Sequence, residues 1–80
     1  MMKVRVISPE GEMLSCNDAK AVFLPGKKGP FEVLDHHAPI ITSLEKGAVR
    51  CITSSGEEIK VEIESGFAEV FDNVISVCAE

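Results

Sequence analysis

Eighty residues, 45% of them hydrophobic, make one small globular domain, with too many apolar side chains for a disordered tail. A formal charge of −5, from 13 acidic against 8 basic residues, argues against nucleic acid, whose binding rests on neutralising phosphates. No apolar run approaches the roughly 20 residues of a membrane-spanning helix and no signal-peptide pattern opens the chain, so a cytosol-like compartment without membrane insertion is expected. A chain this short buries only about 60–65% of its unfolded surface, so its work is expected on the outer surface or inside an assembly.

The first element is Lys3-Val4-Arg5-Val6, where charged and branched residues alternate as on a half-buried strand. Ser8-Pro9-Glu10-Gly11 follows, with Pro second and Gly fourth as a type I turn prefers. Residues 19–24 form a more mixed strand. Residues 24–47 then place Pro25-Gly26, Gly29-Pro30, His37-Ala38-Pro39 and Gly47 around short apolar runs, which specifies shaped loop and marks where function should be sought. Residues 48–53 are strand-like, between turns at Glu45-Lys46-Gly47 and Ser54-Ser55-Gly56. Residues 58–64 alternate strictly between aliphatic and charged. Residues 67–71 and 74–78 make a final hairpin, with Asp72-Asn73 as its two-residue turn. Turn signals every eight to twelve residues, and no sustained 3.6-residue stripe, predict an all-β antiparallel sandwich or barrel over residues 1–80.

Catalytic and metal-binding constellations are weak. Adjacent His36 and His37 point apart on extended chain, and the bland reading gives one a backbone hydrogen bond and the other a surface position. Cys16, Cys51 and Cys78 lack CxxC spacing and are read as reduced core thiols on separate strands. Ser54, Ser55 and Ser65 have no base nearby in sequence, and Glu58, Glu62 and Glu64 lie on a solvated strand face. Gly26-Lys27-Lys28-Gly29 lacks P-loop spacing. No catalytic residue, metal or cofactor is therefore assigned.

The spacing of Pro25-Gly26, Gly29, Phe31, Val33-Leu34, His37-Ala38-Pro39, Leu44 and Gly47 resembles the epsilon subunit family of F-type ATP synthases. The resemblance begins at Ile7-Ser8-Pro9-Glu10-Gly11, continues through Ser65-Gly66-Phe67-Ala68-Glu69-Val70, and ends at Asn73-Val74-Ile75-Ser76-Val77. No single piece is decisive; the set is collinear over the whole chain.

That resemblance implies a flattened β-sandwich of about ten short strands, non-catalytic, in the central stalk of a rotary ATP synthase. It implies contact with gamma and with the polar loops of the c-ring, and with alpha and beta through the F1 complex, peripheral to the cytoplasmic side of the inner membrane. Carried onto this sequence, the c-ring-facing loop is Gly26, Lys27, Lys28, Gly29, Pro30, Phe31 and Glu32; the gamma-facing positions are Ser8, His37, Ala38, Pro39, Ile40 and Thr42. Pro25, Pro30 and Pro39 would stiffen such contacts, while Phe31 is open between interface anchor and core plug. Two departures stand out: Pro30 occupies a position often acidic in the family, and Ser65-Gly66 replaces a frequent glycine pair. Family members continue into a C-terminal helical hairpin, so a chain ending at Glu80 is expected to couple without that inhibitory arm. The competing reading is a lipoyl- or biotinyl-type carrier, whose modified lysine would sit at a hairpin tip; Lys27-Lys28 and Lys60 match that poorly.

Overall fold

Alternation of inward aliphatic and outward polar residues sets the strands of the computed structural model, which describes residues 1–80. The strands are β1 (Met2–Ser8), β2 (Gly11–Leu24), β3 (Phe31–Leu34), β4 (Ile40–Leu44), β5 (Gly47–Thr53), β6 (Glu58–Ile63), β7 (Gly66–Phe71) and β8 (Val74–Ala79). They form one continuous sheet in the order β4-β7-β8-β1-β2-β5-β6, with β3 also paired to β2.

The sheet doubles over on β2. Its register slips between Met2↔Ala19 and Val4↔Cys16 on the β1 side, and between Ala19 and Ala21 on the β5 side. Asn17 and Asp18 are both exposed at the first slip, which breaks the period of two. Bulges of this kind bend a strand and raise its twist. The first half of β2 therefore completes a front layer, β4-β7-β8-β1-β2, while its second half belongs to a back layer, β3-β2-β5-β6. The result measures 28 × 24 × 18 Å, a thin body of two stacked sheets.

The core lies between the layers. Val4 and Val6 of β1, Ala68 and Val70 of β7, and Ile75 and Val77 of β8 face Val22, Leu24, Val33, Val49 and Cys51 in a cluster of 18 buried residues. Thr53 is the one buried polar side chain; its hydroxyl accepts from the Glu57 amide at 3.1 Å and shares a hydrogen bond with Ser55 Oγ.

The all-β expectation holds, with four refinements. There are eight strands rather than about ten, because a single 14-residue β2 serves both layers. The sheet does not close into a barrel: β3, β4 and β6 remain edge strands. It is not wholly antiparallel, since β1 and β8 run parallel in the middle of the front layer. Residues 24–47 are not loop throughout, because β3 and β4 form within them.

The cysteine reading holds for two residues and fails for the third. Cys16 and Cys51 are buried, and burial foremost, with Cys16 alongside, pushes the Cys51 thiol up to about 12. Cys78 is exposed, because Ile75, Val77 and Ala79 take the inward phase of β8 and leave residue 78 facing out.

Candidate functional site: a shaped loop, a pinned corner and an apolar outer face

Residues 25–30 connect β2 to β3, whose first two residues are Phe31 and Glu32, and this connection is fastened to β4. The Lys27 amide donates to the Ser43 carbonyl at 2.9 Å and the Glu45 amide to the Pro25 carbonyl at 2.9 Å, around a bridge between Gly26 and Leu44. The Gly29 amide closes a turn on the Gly26 carbonyl at 3.0 Å. Only glycine suits position 26: an added Cβ would lie 2.6 Å from the Gly29 carbonyl oxygen and 2.9 Å from Phe31 Cε1. Phe31 is half-buried and packs on the core, so its ring plugs the end of the sandwich with one edge still open. Lys27, Lys28, Gly29, Pro30 and Glu32 are exposed.

The β3–β4 connection makes a second fixed feature. The His37 amide donates to the Leu34 carbonyl at 3.2 Å, closing a turn in which His36 is left-handed at φ 64°. The tip of the β7–β8 hairpin is left-handed too, Asp72 at 51° and Asn73 at 63°, as a type I′ turn requires. These turns interlock: Asn73 Oδ1 accepts from the His36 amide at 2.6 Å and its amide group donates to Asp35 Oδ1 at 3.2 Å. The terminal ammonium of Met1 adds an ion pair to Asp35 at 3.5 Å. His37 Nδ1 lies 2.7 Å from the Ala38 carbonyl oxygen while His36 is exposed, the division of roles expected for that pair.

β4 joins these features, its Leu44 end beside the Gly26 loop and its Ile40 end beyond Pro39. Ile40 and Thr42 are half-buried, on the inward phase; Ala38 and Pro39 are exposed. Ser8 sits at the opposite corner of the front layer, where its hydroxyl donates to the Gly11 carbonyl at 3.1 Å and accepts from the Glu10 amide at 3.2 Å. The named gamma-facing positions thus lie around the margin of the front layer and do not form one cluster.

Between them is a surface that the sequence reading missed. The outward phase of β4, β7, β8 and β1 presents Ile41, Phe67, Phe71, Val74, Cys78 and Ile7 to solvent. Ile41 is 75% exposed, Phe71 61% and Phe67 52%. So many large apolar side chains exposed on one layer of a small domain, though interrupted by Glu69, Ser76 and Arg5, are the kind of surface that marks a docking face. Its signal was in the sequence: Phe67-Ala68-Glu69-Val70-Phe71 and Val74-Ile75-Ser76-Val77-Cys78 carry apolar residues in both phases.

Backbone geometry supports the same face. Gly66, at φ 154°, begins β7 so close to β8 that a Cβ would fall on the Cys78 carbonyl oxygen. Of the Ser65-Gly66 pair, only Gly66 takes a positive φ.

Elsewhere several polar groups are engaged structurally. Arg50 stacks 4.5 Å from the Phe23 ring centroid and pairs with Glu58 at 2.8 Å; that hydrogen bond holds the Glu58 carboxyl below its ordinary value. Ser54 Oγ donates to Asp18 Oδ2 at 2.9 Å, and the Cys16 thiol donates to Asp18 Oδ1 at 3.4 Å, which depresses the Asp18 carboxyl. Lys60 lies on a strand and Lys27-Lys28 in a turn bridged to β4, so neither occupies the free hairpin tip of a carrier domain.

Residues 1–80 match the model of the ATP synthase delta/epsilon chain beta-sandwich domain. An ATP synthase epsilon chain of Desulfitobacterium hafniense is 42% identical over 77 residues, covering 96% of this chain and 57% of that protein. An epsilon chain of Pelotomaculum thermopropionicum is 38% identical, covering 96% and 56% respectively. The chain thus spans little more than half the length of these relatives. Among solved structures, a chain of the Euglena gracilis mitochondrial ATP synthase OSCP/F1/c-ring complex superposes with a TM-score of 0.87 at 20% identity, over 98% of this chain and 49% of that one. A chain of the Tetrahymena thermophila mitochondrial ATP synthase central stalk and c-ring superposes with a TM-score of 0.79 at 14% identity, over 98% and 62%. By its full-length match to the family model, the chain belongs to the ATP synthase delta/epsilon family, as the beta-sandwich domain of that family.

Proposed function

We propose that this domain is the sandwich of an epsilon subunit in the rotor stalk of an F-type ATP synthase, non-catalytic, docked on gamma and on the c-ring. It sits peripheral to the membrane, on the cytoplasmic side, as part of F1. The front layer and its margin (Ser8, His37, Ala38, Pro39, Ile40, Thr42) meet gamma, and the Gly26–Glu32 loop meets the polar loops of the c-ring.

The observation that carries this reading is the apolar outer face of the front layer, with Ile41, Phe67 and Phe71 turned to solvent. A free domain gains nothing from that exposure, while a stalk subunit buries it against its neighbour. Torque transfer also needs contact loops of low conformational freedom. The Gly26 loop is tied to β4 by two backbone hydrogen bonds, and the His37 corner is clamped by Asn73.

The test is reconstitution from purified components. The tagged chain is expected to retain gamma through gel filtration as a stable complex, and to hold a c-ring only with gamma present. A folded chain that retains no gamma would overturn the reading.

A further inference from the structure

Outward residues of the front layer fall into three rows that follow the strand register. One runs Ser43, Phe67, Cys78, Ile7; the next Ile41, Glu69, Ser76, Arg5; the third Phe71, Val74, Lys3. Two largely apolar rows therefore flank a polar one. Within that polar row Glu69 is distinctive, with Ile41 across the strand on one side and Phe67 and Phe71 two residues away along β7.

Glu69 has no ionic partner in the chain. The ion pairs are Met1 with Asp35, Arg5 with Glu12, and Arg50 with Glu58. Arg5, in the same row but two strands away, is committed to Glu12 at 3.1 Å. A partner that covers Phe67, Phe71 and Ile41 must cover Glu69 as well. Covering it without a counter-charge would strand a carboxylate in a drying interface, which is strongly unfavourable.

We propose that Glu69 sets the specificity of this face by receiving a lysine or arginine from the subunit that covers the front layer. The inference rests on the stalk reading above and names the chemistry of that partner: an apolar strip with one cation at its centre. A second copy of this chain is a poor occupant, because a two-fold axis through this face would bring Glu69 towards its own copy. A net charge of −5 likewise disfavours an anionic lipid surface. In the free chain Glu69 interrupts the apolar face, and on docking it rejects partners lacking the cation.

The test measures the affinity of the intact chain for purified gamma by calorimetry. Glu69→Lys is expected to weaken binding about 30-fold or more and Glu69→Gln about 10-fold, while Glu69→Asp stays within about threefold. Glu62→Lys, an equal charge change on the outer side of β6, is expected to leave binding unchanged. Glu69→Lys binding within threefold of the unmodified chain, with circular dichroism showing it folded, would overturn the proposal and leave the stalk reading standing. Should Glu69→Lys fail to fold, the isosteric Glu69→Gln decides on the same criterion. Unmodified chain that binds no gamma overturns both, and a homodimer that protects Phe67 and Phe71 from exchange overturns the assigned occupant.

Discussion

Replacing Phe71 by serine separates a docking role from a folding role. Phe71 is 61% exposed at the end of β7, opposite Val74. An aromatic side chain carries about 200 Å² of surface, so about 120 Å² of it remains for a partner to cover. At about 25 cal/mol per Å² that is about 3 kcal/mol, or about 150-fold in Kd, as an upper figure before interface ordering costs. Stability should hardly respond, since surface substitutions mostly fall within about 0.5 kcal/mol, a shift of about 2–4 °C in Tm. The assay pairs calorimetric titration with purified gamma and a thermal melt of the free chain. Weakening of 30- to 150-fold with an unchanged melt is expected. Affinity equal to the unmodified chain in a folded variant would refute the reasoning, because the largest exposed aromatic area would then contribute nothing.

Other expectations concern the scaffold. Gly66→Ala is expected to lower Tm by about 5–15 °C, because its Cβ meets β8 backbone that cannot rotate away; an unchanged melt would show that β7 lies farther from β8. Asp18 is held below its ordinary value of 3.8 by the Ser54 hydroxyl foremost and the Cys16 thiol next. Its stabilisation is therefore present above the unfolded-state value and lost as pH falls through the lower folded value, so Tm should drop more steeply below about pH 4 than in Asp18→Asn. Parallel acid melts for the two chains would remove Asp18 from that role. With an aromatic disulfide reagent at pH 8, exposed Cys78 is expected to react at once and Cys51, pushed up to about 12, only on unfolding; fast reaction of a second thiol in the native chain contradicts that burial.

The parts of the fold legible in the sequence are those where local chemistry decides. Alternation in residues 3–6 and 58–63 places β1 and β6, and Asp72-Asn73 gives the turn its left-handed backbone. What stayed hidden depends on distant partners. The bend of β2 is legible only once β1 and β5 pair with it; the sequence reading marks residues 19–24 alone as strand, where β2 runs from Gly11 through a bulge to Leu24. β3 and β4 are short and each follows a proline, and β4 pairs with the distant β7, so local punctuation masked them. The loop and edge residues came from family resemblance. The docking face did not, although two-phase apolar character in β7 and β8 announced it, because periodicity cannot say which phase faces in.

Ile41, at 75% exposure the barest large apolar side chain, lies at the centre of the claim that the front layer docks on gamma. Replacing it with a photo-crosslinking phenylalanine analogue in the assembled ATP synthase, beside the same replacement at Lys60 on the back layer, tests that claim most directly. Crosslinking to gamma from position 41 and not from position 60 is expected. Gamma captured from position 60 while 41 captures nothing would place the interface on the opposite layer and contradict the assignment.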